Sequence, residues 1–519
     1  MLLSRTRPAA ALSHFVLPAL FGLLASACGE PSTPAEDSGP TAPIDAGADA
    51  SSPPDAGDPT LVAIEHTREL RGAWVPSVWN LAFPSRTGLT RAETEAEITT
   101  MLDRLADMRA NAAFVQIRPE SDALYASELE PWSRYLTGTQ GGDPGFDPLA
   151  MWIEHAHARG IEVHAWLNPY RGMASAAPAR ADDHVSRRLA QYAYTLNNVI
   201  YMDPGAPAVR AHIVAVVRDV VSRYDVDGIH FDDYFYPYPA AGGPAAFPDD
   251  ATYAAYTSGG GTLDRDDWRR QNVHDLIRDV SQAIAEARDD VRFGVSPFGI
   301  WRSGVPEGIR GLDAYSEIYC DALPWLENGW VDYVAPQLYW PTTRAQQDFD
   351  VLIDWWAAQA RAHGRTVYAG YALYHLGSSA EWTVDEFRRE MAAVASHAGS
   401  GVAGSIAYHV KPFVSNTEGI ADVFRDEVWT APAATPALAD ADLAARPAPP
   451  TLTAEGGSLR IEHPERDALR SFVVYQRSGP SVVRIVPAST TTVDLGDLGD
   501  LAITALDRRG VESLARLVP

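Results

Sequence analysis

The sequence predicts an α/β protein whose main domain is a (β/α)8 TIM barrel with enlarged loops. Between residues 61 and 429, short apolar runs alternate with amphipathic helical stretches, which is the pattern of parallel βα units. This region of about 370 residues contains eight strand candidates, the number in a TIM barrel, and its length indicates enlarged loops. A doubly wound sheet is the alternative, although no glycine-rich phosphate turn follows the first strand.

The predicted strands are each defined by a short run of apolar residues. They begin at Arg71 (RGAWVPS), Ala112 (AAFVQIR), Ile161 (IEVHAWLN), Val226 (VDGIHFD), Val291 (VRFGVSP), Val331 (VDYVAPQLY), Thr366 (TVYAGYAL) and Gly404 (GSIAYHV). Helices fit between them. In the helical stretch before the second strand, Thr90 and Glu93 have the spacing of a capping box.

A second domain is predicted at the C-terminal end of the chain. A Pro- and Ala-rich stretch at residues 430–447 indicates a linker, and residues 448–519 contain alternating β-rich runs separated by Gly, Pro and Asp turns. This pattern predicts a small β-sandwich of about 70 residues, and its last run resembles the closing strand of fibronectin type III domains. The domain could bind glycan, pack on the barrel or act as a spacer.

The N-terminal residues have the features of an export signal. Basic residues precede an apolar run from about Phe15 to Leu24, which is too short to cross about 30 Å of hydrocarbon. The signal ends at residue 27, and Ala-Ser-Ala followed by Cys28 resembles a bacterial lipobox in which the cysteine is lipidated. Plain secretion is the alternative. Because Gly29 is not Asp, the resemblance favours an outer-membrane lipoprotein that faces the periplasm or the cell surface.

Composition excludes several classes of partner. Residues 28–60 are rich in Pro, Ala and acidic residues, which predicts a disordered tether. With 42 basic against 68 acidic residues and a formal charge of -26, the chain is an unlikely nucleic-acid binder. Its two cysteines exclude a disulfide-rich scaffold. We expect a membrane contact through the lipid anchor, and no cofactor or metal.

Polar residues follow the predicted strands in the phase that faces the barrel lumen. In the fourth strand, Ile229 and Phe231 are expected to face the helices, which directs His230 and Asp232 inward and leaves Asp233 at the rim. The same phase predicts inward-facing side chains on three other strands: Gln116, Arg118 and Glu120 on the second, His164, Trp166 and Asn168 on the third, and Ser405, His409 and Lys411 on the eighth.

Aromatic residues accompany these polar groups and indicate a sugar-binding site. Aromatic faces stack on sugar rings while polar side chains orient the hydroxyl groups. Ordinary core packing is the alternative for each aromatic residue. The predicted substrate-binding residues are Trp74, Asn80, Gln116, Arg118, Asp122, His164, Asn168, His230, Asp233, Tyr234, Trp301, Gln337, Tyr339 and Trp340.

Hydrolysis of a glycosidic bond needs one protonated and one ionised carboxyl group. Asp232 is the candidate for the ionised group, with His230 and Arg118 as possible charge partners. Glu120 is the candidate acid and base, and Asp122 or Glu317 could replace it. Each of these carboxylates could instead form a loop salt bridge.

The strings RGAWVPSVWNLAFPS, FVQIRPESDALY, HAWLNPYR, VDGIHFDDYFYP, FGVSPFGIWR and VDYVAPQLYW resemble the glycosyl-hydrolase-like family ten domain. The resemblance implies a TIM barrel distantly related to the alpha-amylase superfamily, with the nucleophilic Asp two residues after a basic residue on the fourth strand. His230 and Asp232 match that spacing, and Glu120 matches the acidic residue after the second-strand Arg-Pro. The family includes a division-associated lipoprotein that acts on peptidoglycan strands stripped of stem peptides, so the resemblance implies peptidoglycan as substrate and association with the divisome.

Two other functions stay open at this stage. A catalytically silent lipoprotein could keep the barrel and use its aromatic residues only to bind carbohydrate. A metal-dependent polysaccharide deacetylase could use Asp233 as a zinc ligand, because the FDD at residues 231–233 is similar to the TFDDG motif of that class. The deacetylase motif also requires an H-x-x-x-H pair downstream, which the sequence lacks.

Overall fold

The structure is a computed structural model that describes residues 58–239, 247–477, 481–494 and 500–519. The predicted signal segment, the lipidation site Cys28 and the tether up to residue 57 lie outside the described residues. Within the described ranges, no helix combines the length and the hydropathy that a membrane span requires.

The described strands comprise the barrel strands and those of three smaller sheets. They are β1 (Leu61–Val62), β2 (Leu70–Val75), β3 (Ala112–Arg118), β4 (Glu162–Leu167), β5 (Arg171–Met173), β6 (Ala193–Leu196), β7 (Val199–Met202), β8 (Gly228–Phe231), β9 (Arg292–Val295), β10 (Tyr333–Val334), β11 (Thr366–Tyr371), β12 (Val402–Ala407), β13 (Thr451–Glu455), β14 (Ser458–Glu462), β15 (Leu469–Gln476), β16 (Ser481–Pro487), β17 (Thr492–Asp494), β18 (Leu501–Asp507) and β19 (Ala515–Leu517).

The described α-helices lie between the barrel strands and in the barrel loops. They are α1 (Arg91–Asp107), α2 (Arg134–Thr137), α3 (Pro148–His157), α4 (Val185–Arg188), α5 (Pro207–Arg223), α6 (Asp250–Ser258), α7 (Arg265–Ala287), α8 (Ala314–Glu317), α9 (Leu323–Glu327), α10 (Phe349–Ala362), α11 (Val384–Ser396), α12 (Lys411–Val414) and α13 (Ile420–Val423). The predicted capping box is confirmed, because the Thr90 hydroxyl accepts from Glu93 N and the Glu93 carboxylate accepts from Thr90 N.

Eight parallel strands form a closed barrel in the order β2, β3, β4, β8, β9, β10, β11 and β12, and β12 pairs with β2 to close it. Each strand predicted from the sequence coincides with one barrel strand, so the TIM barrel is confirmed. The long apolar runs form these strands because both faces of a barrel strand are covered, one by the helices and the other by the lumen.

The two faces of the barrel strands form separate apolar clusters. Ile229 and Phe231 pack with the helices, as the strand phase predicts. The lumen holds a second cluster that includes Trp74, Phe114, Trp166, Tyr333 and Ile406. The phase predicted for β12 is wrong: Ile406 faces the lumen, and the Ser405 hydroxyl instead lies 3.5 Å from the Met391 sulfur on α11.

The C-terminal domain is all-β and contains strands from both ends of the described chain. One sheet has the order β1, β19, β18, β15 and β16, and a second has β13, β14 and β17. Leu61–Val62 pairs antiparallel with residues 515–516, so these residues belong to the C-terminal domain and not, as predicted, to the barrel. The likeness to fibronectin type III domains stays a prediction.

This domain packs against the N-terminal ends of the barrel strands. The guanidinium of Arg470 contacts the carboxylate of Asp227, which precedes β8, and lies 3.6 Å from Glu162 at the start of β4. In the predicted linker, Thr435 is buried and donates a 2.7 Å hydrogen bond to Glu162. Of the three roles open to the domain, the structure supports packing on the barrel.

A buried carboxyl group on α11 has no polar partner. Both oxygens of Glu390 are buried without a hydrogen bond, and burial, with the nearby charge of Glu386, raises the pKa of Glu390 well above its ordinary value. A folded-state pKa above the unfolded value means that the folded protein keeps a proton that the unfolded chain releases. Stability from this group is therefore present at low pH and is lost as the pH rises above about 4.5.

We expect Glu390→Met to raise the free energy of unfolding by about 1 to 3 kcal/mol near neutral pH, because an apolar side chain removes an unpartnered polar group. The gain should shrink near pH 4, where the wild-type carboxyl is protonated in both states. Urea denaturation at the two pH values measures both effects. A variant less stable than wild type at neutral pH would contradict the expectation.

Candidate active site

Two consecutive carboxyl groups lie at the C-terminal end of β8, where TIM-barrel active sites are built. Asp232 is the first residue after the strand, and Asp233 follows it. Both side chains are largely buried, with 5% and 1% of their surface exposed. We call this end of the barrel the mouth. Asn168 and Arg171 reach the same point from the end of β4.

A chain of amide groups fixes the position of Asp232. The Gln116 carbonyl oxygen accepts from the backbone N–H groups of Ser77 and Val78, and its amide nitrogen donates to Asn168 Oδ1. Arg171 Nη2 also donates to Asn168 Oδ1 at 2.7 Å. Because a guanidinium only donates, the amide nitrogen of Asn168 must face Asp232, and it donates to Asp232 Oδ2.

Asp232 is poised to change its charge near neutral pH. Burial raises the pKa of Asp232 to about 6, although the charge of Arg171 and the hydrogen bond from Asn168 oppose this effect. Arg171 Cζ lies 5.5 Å from the centroid of the Tyr234 ring, and this cation–π contact holds the guanidinium beside the carboxyl group. Asp232 is therefore ionised at neutral pH and has a cation close by.

Asp233 keeps its proton to a higher pH than Asp232. Burial and the adjacent charge of Asp232 raise the pKa of Asp233 to about 7. The Tyr238 hydroxyl donates to Asp233 Oδ2, and the Gln337 side chain lies close by. Oδ1 of Asp233 is buried and has no hydrogen-bond partner. This unpaired oxygen can carry the proton of the neutral carboxyl group.

His230 lies below the carboxyl pair and is neutral. Trp74 Nε1 donates to His230 Nε2 at 3.0 Å, so the proton of the ring is on Nδ1, which lies 3.0 Å from the Tyr333 hydroxyl. Burial and the charge of His164 hold the pKa of His230 well below its ordinary value. The prediction that His230 is a charge partner of Asp232 is therefore wrong. His230 instead belongs to a hydrogen-bonded lumen network.

Arg118 does not pair with Asp232 either. Its guanidinium donates two hydrogen bonds to Glu130, at 2.8 and 2.6 Å, and further bonds to the carbonyl oxygens of Asn168 and Pro169. Both Arg118 and Glu130 are buried. Arg118 thus holds the backbone on which Asn168 sits, and Arg171 supplies the cation beside Asp232.

Glu120, predicted as the general acid, is an anchor for the loops. Four donors occupy its two oxygens: Nε and Nη2 of Arg134, the Tyr135 hydroxyl and the backbone N–H of Ala174, at 2.7 to 2.9 Å. The side chain is fully buried. Both oxygens of Glu120 are occupied by these donors, which leaves no free oxygen to present to a sugar, so the structure argues against the predicted role.

We expect Glu120→Gln to lower the free energy of unfolding by about 3 kcal/mol, because it leaves Arg134 without its buried partner. The activity of the folded molecules should fall by less than about tenfold, whereas loss of a general acid costs about 10² to 10⁴-fold. Urea denaturation and kcat/KM, both on the same preparation, separate the effects. A loss above about 100-fold with the fold intact would restore Glu120 as the acid.

Asp122 and Glu317, the two alternatives to Glu120, are also engaged in hydrogen bonds. Asp122 is fully buried beside Glu120, and its Oδ2 accepts from Gln140 Nε2 at 3.0 Å. Burial and the charge of Glu120 raise the pKa of Asp122 to about 7. Glu317 accepts from the backbone N–H of Asp313 at the start of α8. Neither residue joins the pair at the mouth.

Aromatic side chains surround the carboxyl pair and form what we call the rim. They are Tyr234, Phe298, Tyr339, Trp340, Tyr374 and Tyr408, and all but Tyr234 follow the ends of β9 to β12. The rings of Tyr339 and Tyr408 stack with 5.8 Å between their centroids. Tyr234 has 40% of its surface exposed. Asp232 and Asp233 are close enough to affect the pKa values of Tyr408 and Tyr339.

Several predicted binding residues do not belong to the rim. Asn80 donates to the carbonyl oxygens of Pro84 and Tyr135 and thereby fixes the loop after β2. Trp301 donates to Asp321 and stacks on a tryptophan of α10. His164 lies deeper in the lumen, and Trp74 is 2% exposed beneath the carboxyl pair.

Sequence reasoning missed four residues of the mouth: Arg171, Phe298, Tyr374 and Tyr408. Arg171 is the last letter of the HAWLNPYR string, three residues after Asn168. A charged residue so close to the end of a strand was a signal. It was missed because only alternating positions within and directly after each strand were considered. Tyr408 follows β12, where the predicted phase was wrong.

The residues around Asp233 do not fit the zinc site of a deacetylase. Its partner is the Tyr238 hydroxyl, and the described residues contain no cluster of three or more His, Cys, Asp or Glu side chains suited to a metal.

A cavity of about 400 Å³ lies at the opposite end of the barrel, against the C-terminal domain. Arg466 lines this cavity, and its guanidinium donates hydrogen bonds to the carbonyl oxygens of Ala488 and Thr490.

Residues 69–385 match the family described as Glycosyl hydrolase-like 10. The chain belongs to this family. The resemblance predicted from the sequence is thereby confirmed, and with it a glycosidase-like TIM barrel. The family description concerns the barrel and not the C-terminal domain, which begins beyond the matched residues.

Two curated relatives are each 36% identical to this chain. Glycosyl hydrolase YngK of Bacillus subtilis (strain 168) is 36% identical over 440 residues, which are 81% of this chain and 85% of that protein. Glycosyl hydrolase DigH of Escherichia coli (strain K12) is 36% identical over 349 residues, 63% of this chain and 78% of that protein.

The solved structures that the chain matches are more distant in sequence. The PgaB glycoside hydrolase domain of Bordetella bronchiseptica matches 70% of this chain and 99% of its own, with a TM-score of 0.42 and 16% identity. The catalytic domain of Paenibacillus polymyxa β-amylase also matches 70% of this chain and 99% of its own, with a TM-score of 0.47 and 10% identity.

Proposed function

We propose that this protein is a glycoside hydrolase that cleaves a polysaccharide of the cell envelope, namely the glycan strands of peptidoglycan. The observation that carries the proposal is the carboxyl pair beneath the aromatic rim, in which Asp233 has a pKa of about 7. Asp233 donates a proton to the leaving oxygen, and Asp232 is the ionised partner. Asp233 thus takes the role that the sequence suggested for Glu120.

The rim supports a polysaccharide as substrate. Aromatic faces such as those of Tyr234 and Tyr339 stack on sugar rings, and the polar groups of Asn168, Arg171 and Gln337 can orient hydroxyl groups. Family membership and two relatives named glycosyl hydrolases support hydrolysis rather than binding alone.

The proposal includes export to the envelope, where peptidoglycan is found. An export signal at residues 1–27 and a lipid anchor at Cys28 would attach the protein to the outer membrane, on its periplasmic or outer side. Association with the cell-division machinery is proposed on the family resemblance alone.

Purified protein without the signal segment, incubated with intact sacculi, denuded glycan strands and other polysaccharides, tests the proposal. We expect soluble fragments with reducing ends from denuded strands, identified by mass. The Asp232→Asn variant should bind the strands and release fewer products by a factor of about 10² to 10³. Anhydro ends would indicate a lytic transglycosylase, and wild-type protein that binds but never cleaves would make the protein a carbohydrate-binding lipoprotein.

A further inference from the structure

We propose that the nucleophile is the 2-acetamido group of the substrate itself, which the sugars of peptidoglycan glycan strands carry. This inference rests on the proposed glycosidase function and specifies its mechanism. Three features of the mouth support it: the carboxyl groups are consecutive, the neighbouring carboxylates are occupied, and Asp232 has a free oxygen above an aromatic surface.

The first feature is the arrangement of the carboxyl pair. Glycosidases that use two protein carboxylates place them on either side of the scissile bond, about 5 to 5.5 Å apart or about 6.5 to 9.5 Å apart. Asp232 and Asp233 instead follow one another at the end of β8, where the charge of one acts directly on the other. Such a pair can supply a proton and a stabilising charge from one side of the sugar, and the opposite face needs a different nucleophile.

The second feature is that neighbouring buried carboxylates are engaged elsewhere. Glu120, Glu130 and Asp249 are each held by an arginine side chain, and Asp122 is fully buried. Residues 240–246 lie outside the described residues, and their sequence AAGGPAA contains no acidic residue. Asp321, which follows Cys320, accepts from Trp301 Nε1 at 2.9 Å, so each of these carboxylates already accepts a hydrogen bond from another side chain.

The third feature is the surrounding of Asp232. Its Oδ2 accepts from Asn168, whereas its Oδ1 makes a long contact of 3.5 Å with the backbone N–H of Tyr234, and the Trp166 side chain lies close enough to lower the pKa of Asp232. Oδ1 can therefore accept the N–H of an acetamido group. Tyr408 of the rim packs edge-on against Trp74 of the lumen cluster, with 6.1 Å between the ring centroids, and these rings offer an apolar surface to the acetamido methyl group.

The reaction that follows is balanced without any added reagent. The acetamido carbonyl oxygen attacks C1 and forms a C–O bond, the glycosidic C1–O bond breaks with its electron pair, and Asp233 gives its proton to the leaving oxygen. Asp232 holds the N–H of the cyclic oxazolinium ion. Water then attacks C1, gives a proton to the Asp233 carboxylate and opens the ring, which restores the acetamido group with the anomeric configuration retained. The net reaction consumes one water molecule.

Chemical variants of a single glycan preparation test this inference. Denuded glycan strands are assayed as isolated, after N-deacetylation, after re-N-acetylation and after N-trifluoroacetylation, which keeps the shape of the amide but weakens its carbonyl oxygen as a nucleophile. We expect kcat to fall by at least about 10²-fold on the deacetylated and trifluoroacetylated strands and to recover on the re-N-acetylated ones. Binding of the trifluoroacetylated strands should change by less than about threefold. Proton NMR of the products should show retained configuration.

Each failure has its own signature. Cleavage of deacetylated or trifluoroacetylated strands at nearly the parental rate would overturn the acetamido mechanism and leave the glycosidase in place. Loss of binding together with loss of cleavage on the trifluoroacetylated strands would limit the acetamido group to recognition, and inverted products would also overturn the inference. Absence of cleavage on every glycan tested would overturn the proposed function itself.

Discussion

Replacement of Asp233 by Asn is expected to lower kcat/KM on glycan strands by about 10² to 10⁴-fold, with the fold unchanged. The amide has almost the same shape as the carboxyl group and can still accept from the Tyr238 hydroxyl. It has no proton to give to a leaving oxygen. Circular dichroism and urea denaturation check the fold, and the release of reducing ends measures the rate.

The pH dependence of the same reaction provides a second signature. We expect kcat/KM of the wild type to fall below about pH 6, where Asp232 gains a proton, and above about pH 7, where Asp233 loses its proton. Because the two groups affect each other, the two limbs belong to the pair. In the Asp233→Asn variant the alkaline limb should disappear, since the group that titrates there is gone.

Two further variants serve as controls for this prediction. The hydrogen bond from Tyr238 lowers the pKa of Asp233, so Tyr238→Phe should raise that pKa and move the alkaline limb to higher pH. Asp354→Asn, an exposed carboxylate on α10, should leave rate and pH profile unchanged. An Asp233→Asn variant that keeps more than about a tenth of the wild-type rate would remove Asp233 from the chemistry.

The barrel and the location of its site could be predicted because both depend on local patterns. Apolar runs of strand length at regular intervals identify the eight strands, and polar residues at their C-terminal ends identify the mouth. Asp232, Asp233 and Asn168 were found in this way, since a period of two fixes which side chains face the lumen.

Charge partners could not be predicted, because loop geometry decides them. Glu120 follows a strand like Asp232 does, yet Arg134 on the short helix α2 and the backbone of Ala174 enclose it. Arg118 is the last residue of β3, yet its partner Glu130 lies twelve residues further along the chain, in the loop that follows this strand. Pairings between loops of irregular structure leave no periodic signal in a sequence.

The exceptions in the strands also have local causes. Gly404, with a φ of 144°, lies where a Cβ atom would meet the backbone of Leu70 at 2.0 Å, and the pairing of β11 with β12 shifts register before Ser405. That shift reverses the phase expected for the last strand. The pairing of Leu61–Val62 with β19 joins two short segments from opposite ends of the described chain, and a two-residue strand has too little pattern to predict.

The largest effect on stability is expected from Arg470→Met, which should lower the free energy of unfolding by about 3 to 5 kcal/mol at neutral pH. Arg470 joins the C-terminal domain to two carboxylates of the barrel, Asp227 and Glu162, which are 2% and 3% exposed. The variant leaves Glu162 with His164 at 3.2 Å and Arg292 at 3.6 Å, and Asp227 with His157 at 2.9 Å. The remaining negative charge is then buried without full compensation, which is costly.

The dependence of this loss on pH identifies its origin. Burial would raise the pKa of Glu162, but Arg470 and Arg292 hold it at about 2, and Arg470 likewise depresses the pKa of Asp227. Depressed values stabilise the folded state above the unfolded pKa of about 4 and lose this effect as the pH falls toward about 2. The difference between wild type and Arg470→Met should therefore be largest at neutral pH and should shrink below about pH 4.

A double-mutant cycle separates the ion pair from lost packing. Asp227→Asn in the Arg470→Met background removes the uncompensated charge, so the double variant should be more stable than the sum of the two single losses predicts. Arg460→Met, an exposed arginine of β14 in the same domain, should change stability by less than about 0.5 kcal/mol. Additive losses, or an Arg470→Met effect independent of pH, would mean that the arginine holds the domain to the barrel by contact area alone. A coupled, pH-dependent loss would mean that the barrel base and the C-terminal domain fold as one electrostatic unit.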